Sequence, residues 1–376
     1  MTPDSTAPAP PPPPPKAQVT AAGARGLKFE GQIQFQVSSS SIDSVTTWDS
    51  DLRRIRLTAL ADVTDRLSGS LMADFGLDRA IVQDAFLAFR TTPTSPLTFQ
   101  IGQFKVPFNG IQMWSDKYGL MIERGARIRG FPNTGTSEFI QAQRLSDRGR
   151  GVMAVYKPGR ATFWLGGFLG NGQANDNNDG KEVAARFEYS VLKLPAKNSK
   201  PLILGAAVVT NGYYGFPRDT LRVVAGDSLR IDDPQYAWAY EGWLEYGKHL
   251  APGLHVAGNF ITGDNPTIFT GAGDDDVNFE TFQGIEGWSE FLFPVSAAFL
   301  TGIAPAFLTG IAPAFRADRF DPNTDADDDS LFLWTPGLNL YFGSTARWQL
   351  NFDVLDPAAE GRDTISGFRT QVQLLF

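Results

Sequence analysis

The chain ends on FRTQVQLLF, residues 368–376, and the order of side chains in this stretch predicts a β-strand. Successive side chains of a strand point to opposite faces. One face would carry Val372, Leu374 and Phe376, and the other face would carry Arg369 and Gln371. The last residues of a soluble domain usually fray in water. The stretch therefore predicts a strand that is paired to its end, with one face in an apolar environment.

The same alternation recurs along the chain, as in LKFEGQIQFQV (27–37), EVAARFEYSV (182–191) and TARWQLNFDV (345–354). Each run is about ten residues long, the length that a tilted strand needs to cross an outer membrane. A soluble sandwich would bury the apolar rows against a second sheet, whereas a membrane barrel turns them to lipid. Charged polar rows and aromatic residues near the row ends favour the barrel. These aromatic residues are Phe35, Phe89, Tyr189, Tyr236, Trp348 and Phe376.

The alternation predicts sixteen strands, an even number, as a closed antiparallel barrel with both termini at one end requires. The predicted strands are 27–37, 51–63, 67–76, 81–90, 97–107, 150–157, 161–169, 182–192, 201–210, 235–247, 253–262, 282–292, 306–319, 331–342, 345–355 and 366–376. Short turns are predicted near Thr64, Thr91, Pro158, Pro195 and His249, and long loops at 108–149, from Asn175, and at 211–234, 263–281 and 320–330. The predicted fold is all-β, a single 16-stranded antiparallel transmembrane β-barrel.

The composition sets further limits. The 376 residues carry 33 basic and 41 acidic side chains, a formal net charge of −8, and no cysteine. An acidic chain is not expected to bind nucleic acid, and the absence of thiols fits an oxidising compartment. No secretory signal is visible at the N-terminus. Residues 1–26 include APAPPPPPPK and predict a disordered, proline-rich tail before a barrel over 27–376.

The uncharged stretch from Phe291 to Phe315 is long enough to cross a bilayer as a helix. It contains a tandem repeat, AFLTGIAP, at 298–305 and 306–313. A proline in every eighth position suits neither a long straight helix nor a central strand. We therefore predict a strand end with an enlarged turn or a short helix.

No catalytic or metal-binding pattern stands out. His249 and His255 lack a third ligand in pattern, and GGFLGNG at 166–172 lacks the Lys and Ser/Thr of a phosphate loop. The acidic loop from Asp321 lacks the Gly and Glu of an EF-hand. Binding of a divalent cation by its carboxylate oxygens, near lipopolysaccharide, is left as an alternative. The sequence predicts no enzyme, no metal site and no cofactor.

Several segments resemble the phosphate-selective porin O and P family of Gram-negative outer membranes. They are DLRRIRLTALADVTDRLSGSLMADFG (51–76), DAFLAFR (84–90), FQIGQFKVPFNG (99–110) with the following IERGARIRG, and the later AARFEY, FRADRFDPNTD and PGLNLYFG. The resemblance covers 27–376, although the AFLTGIAP repeat lies outside the family pattern. Phe376 resembles the outer-membrane assembly signal of porins.

The resemblance implies a sixteen-stranded barrel, often trimeric, whose third long loop folds into the lumen and carries basic residues that select anions. On this chain the constriction would be formed by Lys105, Lys117, Arg124, Arg127 and Arg129. Basic wall residues with inward phase are Arg54, Arg56, Arg90, Arg186, Arg347 and Arg369. The alternative is that these side chains only pair with inward acids, such as Glu241 and Asp353, and fill a polar lumen.

The sequence thus predicts a porin for passive diffusion of small hydrophilic solutes, neutral or anionic, with an anion bias set by loop three and the wall. We expect it in the bacterial outer membrane, in contact with lipid and lipopolysaccharide, as a homotrimer with both termini in the periplasm. The alternative is a structural barrel with a plugged lumen, whose proline-rich tail binds the cell wall or a partner complex.

Overall fold

In the computed structural model, sixteen strands form one closed barrel of antiparallel neighbours, and β1 pairs with β18 to close it. The structure describes residues 25–42, 45–126, 134–174, 180–192, 201–213, 222–224, 227–229, 235–273, 276–295, 307–358 and 363–376. The strands are β1 Gly26–Ile42, β2 Val45–Asp62, β3 Leu67–Asp74, β4 Ile81–Arg90, β5 Leu97–Lys105, β6 Arg148–Tyr156, β7 Ala161–Phe168, β8 Glu182–Leu192, β9 Leu202–Tyr213, β10 Arg222–Val224, β11 Asp227–Leu229, β12 Gln235–Tyr246, β13 Gly253–Gly273, β14 Asp276–Pro294, β15 Gly310–Asp321, β16 Leu331–Phe342, β17 Ala346–Pro357 and β18 Ile365–Leu375. The short strands β10 and β11 form a separate hairpin, and the other sixteen form the barrel.

The two ends of the barrel differ in their connections. Five short connections in the described part of the chain, 63–66, 91–96, 157–160, 247–252 and 343–345, lie at the same end as Phe376. We name this end the turn end, and the opposite end, which carries the long connections, the loop end. The predicted short connections are thus found at the turn end, whereas the loop end carries the long connection 106–147 but also the short connection 75–80.

The last strand explains why the chain ends on an aromatic residue. The Gly31 amide donates to the Phe376 carbonyl (2.7 Å), and the Phe376 amide donates to the Gly31 carbonyl (3.1 Å). Val372 is 53% exposed on the outer face, whereas Gln371 on the inner face is 1% exposed. The prediction of a terminal strand paired to its last residue is confirmed, and that residue helps to close the cylinder.

Two hairpins continue beyond the predicted strand ends. The predicted loop at 263–281 is wrong, because β13 continues to Gly273 and β14 begins at Asp276. The first hairpin likewise continues past the predicted strands, with Ser39 paired to Trp48. Outside a membrane a two-stranded ribbon needs no apolar row, so the sequence alternation stops while backbone pairing goes on. The predicted loop at 211–234 also contains the end of β9 and the hairpin β10–β11.

The tandem repeat lies between β14 and β15. Its first copy, 298–305, and residues 1–24 of the predicted tail lie outside the described residues. The second copy leads into β15, which begins at Gly310 and not at the predicted residue 306. Pairing of β15 with β14 is interrupted between Ile311 and Ala314, because Pro313 has no amide proton to donate. Within the described part of the chain, no helix has the length and apolarity that a membrane span requires.

Candidate functional site: the lumen and loop three

The segment between β5 and β6, residues 106–147, folds into the barrel and is called loop three below. It contains the short helix α1 (Gly110–Met113), a 3₁₀ turn at Asp116–Tyr118 and the helix α2 (Thr136–Ala142), in this order. Its first turn is capped by the Asn109 side chain, which accepts hydrogen bonds from the amides of Ile111 (3.1 Å) and Gln112 (3.2 Å). The cap fixes the direction in which the chain leaves the wall and enters the lumen.

Buried wall carboxylates hold both helices of loop three. Glu241 on β12 accepts hydrogen bonds from the amides of Asn109 (3.0 Å) and Gly110 (2.6 Å). Asp318 on β15 accepts from the Thr136 amide (2.9 Å) and the Thr136 hydroxyl (2.6 Å). Buried amides need a partner, and a carboxylate acceptor makes a stronger bond than a neutral one. Both helices are therefore fixed to the barrel wall.

The middle of loop three is held by strands β15 to β18. Asn351 accepts a hydrogen bond from the Ile122 amide (2.8 Å). Arg316 donates to the Glu123 carbonyl (3.1 Å), Arg347 donates to the Gly119 carbonyl (2.7 Å), and Arg369 donates to the Ala126 carbonyl. In these bonds the arginine side chains donate to backbone carbonyls of loop three. Loop three therefore contacts the wall both at β12 and at β15 to β18 and spans the lumen between them.

Loop three also buries apolar side chains against the wall. Phe139 of α2 lies 4.6 Å from Phe320 and 4.9 Å from Phe282, measured between ring centres. A second cluster places Ile111 and Leu120 of the loop against wall residues that include Trp243 and Trp288. Burial of this kind stabilises a docked segment by about 25 cal/mol per Å² of apolar surface. The lumen beside these strands is thus filled by packed side chains.

Charged side chains of loop three pair with charges on the wall. Asp116 is contacted by Arg54, Arg56 and Arg124. Burial alone would raise the pKa of Asp116, but Arg124 and then Arg54 and Arg56 lower it well below its ordinary value. Glu123 accepts from Arg53 (2.7 Å) and Arg54 (3.1 Å). Together with Asp74, which pairs with Arg56, these two acids offset most of the charge of the four arginines.

The predicted constriction residues have different environments. Lys117 pairs with Glu30 on β1 (3.0 Å), and Arg124 pairs with Asp116. Lys105 donates to the carbonyls of Gln112 (2.6 Å) and Trp114. Arg127 and Arg129 lie outside the described residues. Two of the three described cations are therefore compensated by acids, and Lys105 binds backbone carbonyls.

The predicted wall arginines all have inward phase, and most have partners. Arg186 pairs with Glu241 (2.6 Å) and Glu188 (2.7 Å). Arg56 pairs with Asp74 (2.7 Å). Arg54, Arg347 and Arg369 bind loop three or its acids, as described above. Arg90 differs, because its described polar contact is a long one to the Thr98 hydroxyl (3.4 Å).

A cavity of about 580 Å³ lies inside the barrel at the turn end, next to β3–β7. Its basic lining residues are Arg90, Lys105 and Lys157. Its one acid among the lining residues is Asp84, which pairs with Arg148 (2.6 Å). No carboxylate within hydrogen-bond distance of Arg90, Lys105 or Lys157 is found among the described residues. We name this space the turn-end cavity.

Sequence reasoning missed several of these residues. Lys157 is the last residue of the predicted strand 150–157 and follows β6, but it is not among the predicted basic wall residues. Arg316, Glu241 and Asp318 hold loop three, and the sequence predicts none of these contacts. The inward phase of Arg316 can be read from FRADRF, but its partners Asp353 and the Glu123 carbonyl are distant in sequence.

The histidines and acidic loops form no metal centre in the part of the chain that is described, where no group of three or more His, Asp or Glu could hold an ion. His249 and His255 line a separate cavity of about 460 Å³ together with Trp114 and Tyr118. In the acidic loop, Asn323 accepts a hydrogen bond from the Asp325 amide (3.1 Å), which is an ordinary turn contact.

The sequence model of a family described as phosphate-selective porin O and P matches residues 26–230. No curated protein gives a sequence match. Among solved structures, OmpT of Vibrio cholerae is 14% identical, with 96% of this chain and 99% of that chain covered and a TM-score of 0.57. The channel DcaP of Acinetobacter baumannii is 10% identical (95% and 99% covered, TM-score 0.59). An anion-selective porin from Comamonas acidovorans is 10% identical (93% and 99% covered, TM-score 0.54). At these identities the likeness concerns the fold.

Proposed function

Because the chain belongs to the phosphate-selective porin O and P family, it is an outer-membrane porin, and we propose that it passes small hydrophilic solutes with a preference for anions. The observation that carries this preference is the turn-end cavity, where Arg90, Lys105 and Lys157 face the space without a described carboxylate partner. The transport is passive and includes no chemical step.

The physical reason for the preference is the field inside a narrow cavity. Walls of low dielectric constant focus the field of unpaired charges and raise the local concentration of the opposite ion. Compensated charges produce little field at a distance, so Arg124 and Lys117 contribute little, although they lie on loop three. We infer that selectivity lies at the turn-end cavity more than at the loop-three constriction. Arg127 and Arg129 stay predicted members of that constriction.

The arrangement of the barrel supports a proposal for its orientation. Short turns face the periplasm in outer-membrane barrels, and here they share one end with Phe376. We propose that this end is periplasmic and that the acidic loops at the other end face lipopolysaccharide. A homotrimer is proposed as well, and it is supported by the fold shared with V. cholerae OmpT, a protein with a solved trimer form.

A second function, a structural barrel with a plugged lumen, is favoured by one observation. Loop three buries residues such as Phe108, Leu120 and Ile140 completely against the wall. A lumen filled in this way would carry no current, and the proline-rich tail would then link the barrel to the cell wall or to a partner complex. Deleting residues 1–24 separates the two functions, because only the structural role predicts lost envelope integrity with unchanged conductance.

A planar-bilayer measurement tests the proposed preference. We expect an ohmic current whose reversal potential in a tenfold KCl gradient moves toward the chloride limit, about 59 mV for an ideally selective pore. The double variant Arg90→Gln with Lys157→Gln should move this potential toward zero. Arg66→Gln is the matched control, because Arg66 is exposed at the same end and does not line the cavity. A shift produced by Arg124→Gln instead would place selectivity at loop three, and silent insertion would favour the structural role.

A further inference from the structure

The turn-end cavity combines cations with a cluster of apolar side chains. Besides its three basic residues and several polar ones, such as Asp84 and Gln100, its wall includes Phe86, Phe104, Met113, Met153, Val155 and Trp164. These side chains face the lumen, where a water-filled pore would ordinarily present polar groups. Hydrated inorganic anions gain nothing from the apolar part of this lining, which favours a solute that carries apolar surface of its own.

The cations lie at the two ends of this apolar lining. Arg90 pairs across the sheet with Thr98 at the turn end of β5. Lys105 is the last residue of β5, about 24 Å farther along the strand at about 3.4 Å per residue. Lys157 follows β6 at the turn end, on the far side of β5 from Arg90. A phosphate-binding site would instead bring several donors onto one ion.

Lys105 is placed to receive an anion at the inner end of the cavity. Its ammonium group has three donors, and two of them bind the carbonyls of Gln112 and Trp114. One donor is left for a solute oxygen. Phe104 next to it is buried and stacks edge to face with Phe86, with 5.8 Å between ring centres. An aromatic body could lie against Phe86 and Trp164 while its charged group meets a cation.

We propose that the turn-end cavity favours small carboxylates that carry an apolar body, aromatic ones such as benzoate in particular, over inorganic phosphate. This inference rests on the anion preference proposed above, and it names the solute class of the same cavity. The carboxylate is held by the basic residues at either end, and the body contacts the apolar wall between them.

Bi-ionic potentials in planar bilayers test the inference. With chloride on one side and benzoate or phosphate on the other, we expect benzoate to be about tenfold more permeant than phosphate. Trp164→Gln removes apolar wall and should reduce the benzoate-to-phosphate permeability ratio severalfold. The double variant Arg90→Gln with Lys157→Gln should reduce both anions alike. Trp348→Gln, on the outer face and away from the cavity, is the control for tryptophan loss.

The outcomes separate the two proposals. Anion preference with equal permeability for benzoate and phosphate overturns the present inference and keeps the proposed function. Cation preference overturns both. Calorimetric titration of the detergent-solubilised protein with benzoate covers the case of a silent barrel: binding that Trp164→Gln weakens would support the inference and count against diffusion, and absence of binding would overturn the inference.

Discussion

Replacing Glu241 by Gln should release the first turn of loop three from the wall. The Glu241 carboxylate accepts the amides of Asn109 and Gly110 and also pairs with Arg186, and both charged side chains are fully shielded from solvent. A glutamine keeps one acceptor oxygen and turns an NH₂ group toward groups that are themselves donors. One strong backbone bond is lost, and the Arg186 charge loses its buried partner.

The size of the effect follows from these contacts. A hydrogen bond to a charged group contributes about 1.5–3 kcal/mol, and leaving a buried donor unpaired adds to its loss. We estimate that docking of the first turn weakens by about 2–3 kcal/mol, which is about 30- to 150-fold in the opening equilibrium. The barrel itself should persist, because its strand pairing does not involve this carboxylate.

Hydrogen exchange measures this opening directly, since the amides of Asn109 and Gly110 exchange when the turn leaves the wall. We expect their exchange to accelerate by about 30- to 150-fold in Glu241→Gln. Current fluctuations should increase in parallel. Glu188→Gln is the matched control, because Glu188 also pairs with Arg186 but has no described bond to loop three.

Two results would refute this reasoning. Equal acceleration in both variants would mean that loop three depends on the Arg186 charge and not on the carboxylate cap. Unchanged exchange in Glu241→Gln would mean that the apolar clusters and the arginine contacts hold the turn without Glu241.

Two further predictions concern the turn end. A side chain at Gly31 would collide with the Phe376 ring, so Gly31→Val and Phe376→Ala should each destabilise the barrel by about 1 kcal/mol. The double variant should lose no more stability than one single variant, as urea unfolding in detergent can measure. Additive losses of stability would contradict the contact. Burial lowers the pKa of His249 to about 3, and Arg347 and His255 add to the effect. As the pH falls below about 6.5, the unfolded chain therefore binds a proton at His249 and the folded chain does not. The free energy of unfolding should decrease as the pH is lowered from about 6.5 to 3, and His249→Gln should flatten this part of the stability profile. A titration of the His249 resonances near pH 6.5 would contradict the prediction.

The sequence was sufficient for the barrel because its strands obey a local rule. Along most strands the apolar row faces outward and the polar row faces the lumen, so the sequence alone predicts opposite faces for Val372 and Gln371. The rule fails beyond the membrane, because strands outside the lipid need no apolar outer row. The ribbon that includes the pair Asn265 and Glu280 extends beyond the predicted strand ends, where the sequence predicts a loop, and that prediction is wrong.

Loop three could be located from the sequence, but its contacts could not. Its partners on the wall are far away in the chain, such as Glu241 for Asn109 and Asn351 for Ile122. Inward phase is the same for Arg54 and Arg90, yet the first binds Glu123 and the second faces the cavity. The alternation in the sequence predicts which face of the barrel wall a side chain lies on, but it does not predict which residue the side chain contacts across the lumen.

The net charge of −8 therefore says little about which ions the lumen favours. Acids of the lumen such as Asp116 and Asp353 are compensated by arginines within the same network, and such pairs exert little field on a solute. Selectivity depends on the charges that are left uncompensated where a solute passes, and in the described lumen Arg90, Lys105 and Lys157 meet this condition at one cavity. Neutralising Arg90 and Lys157 should consequently change the ion preference more than neutralising the more numerous arginines that contact loop three. Loss of those arginines would instead leave buried acids unpaired and disturb the loop.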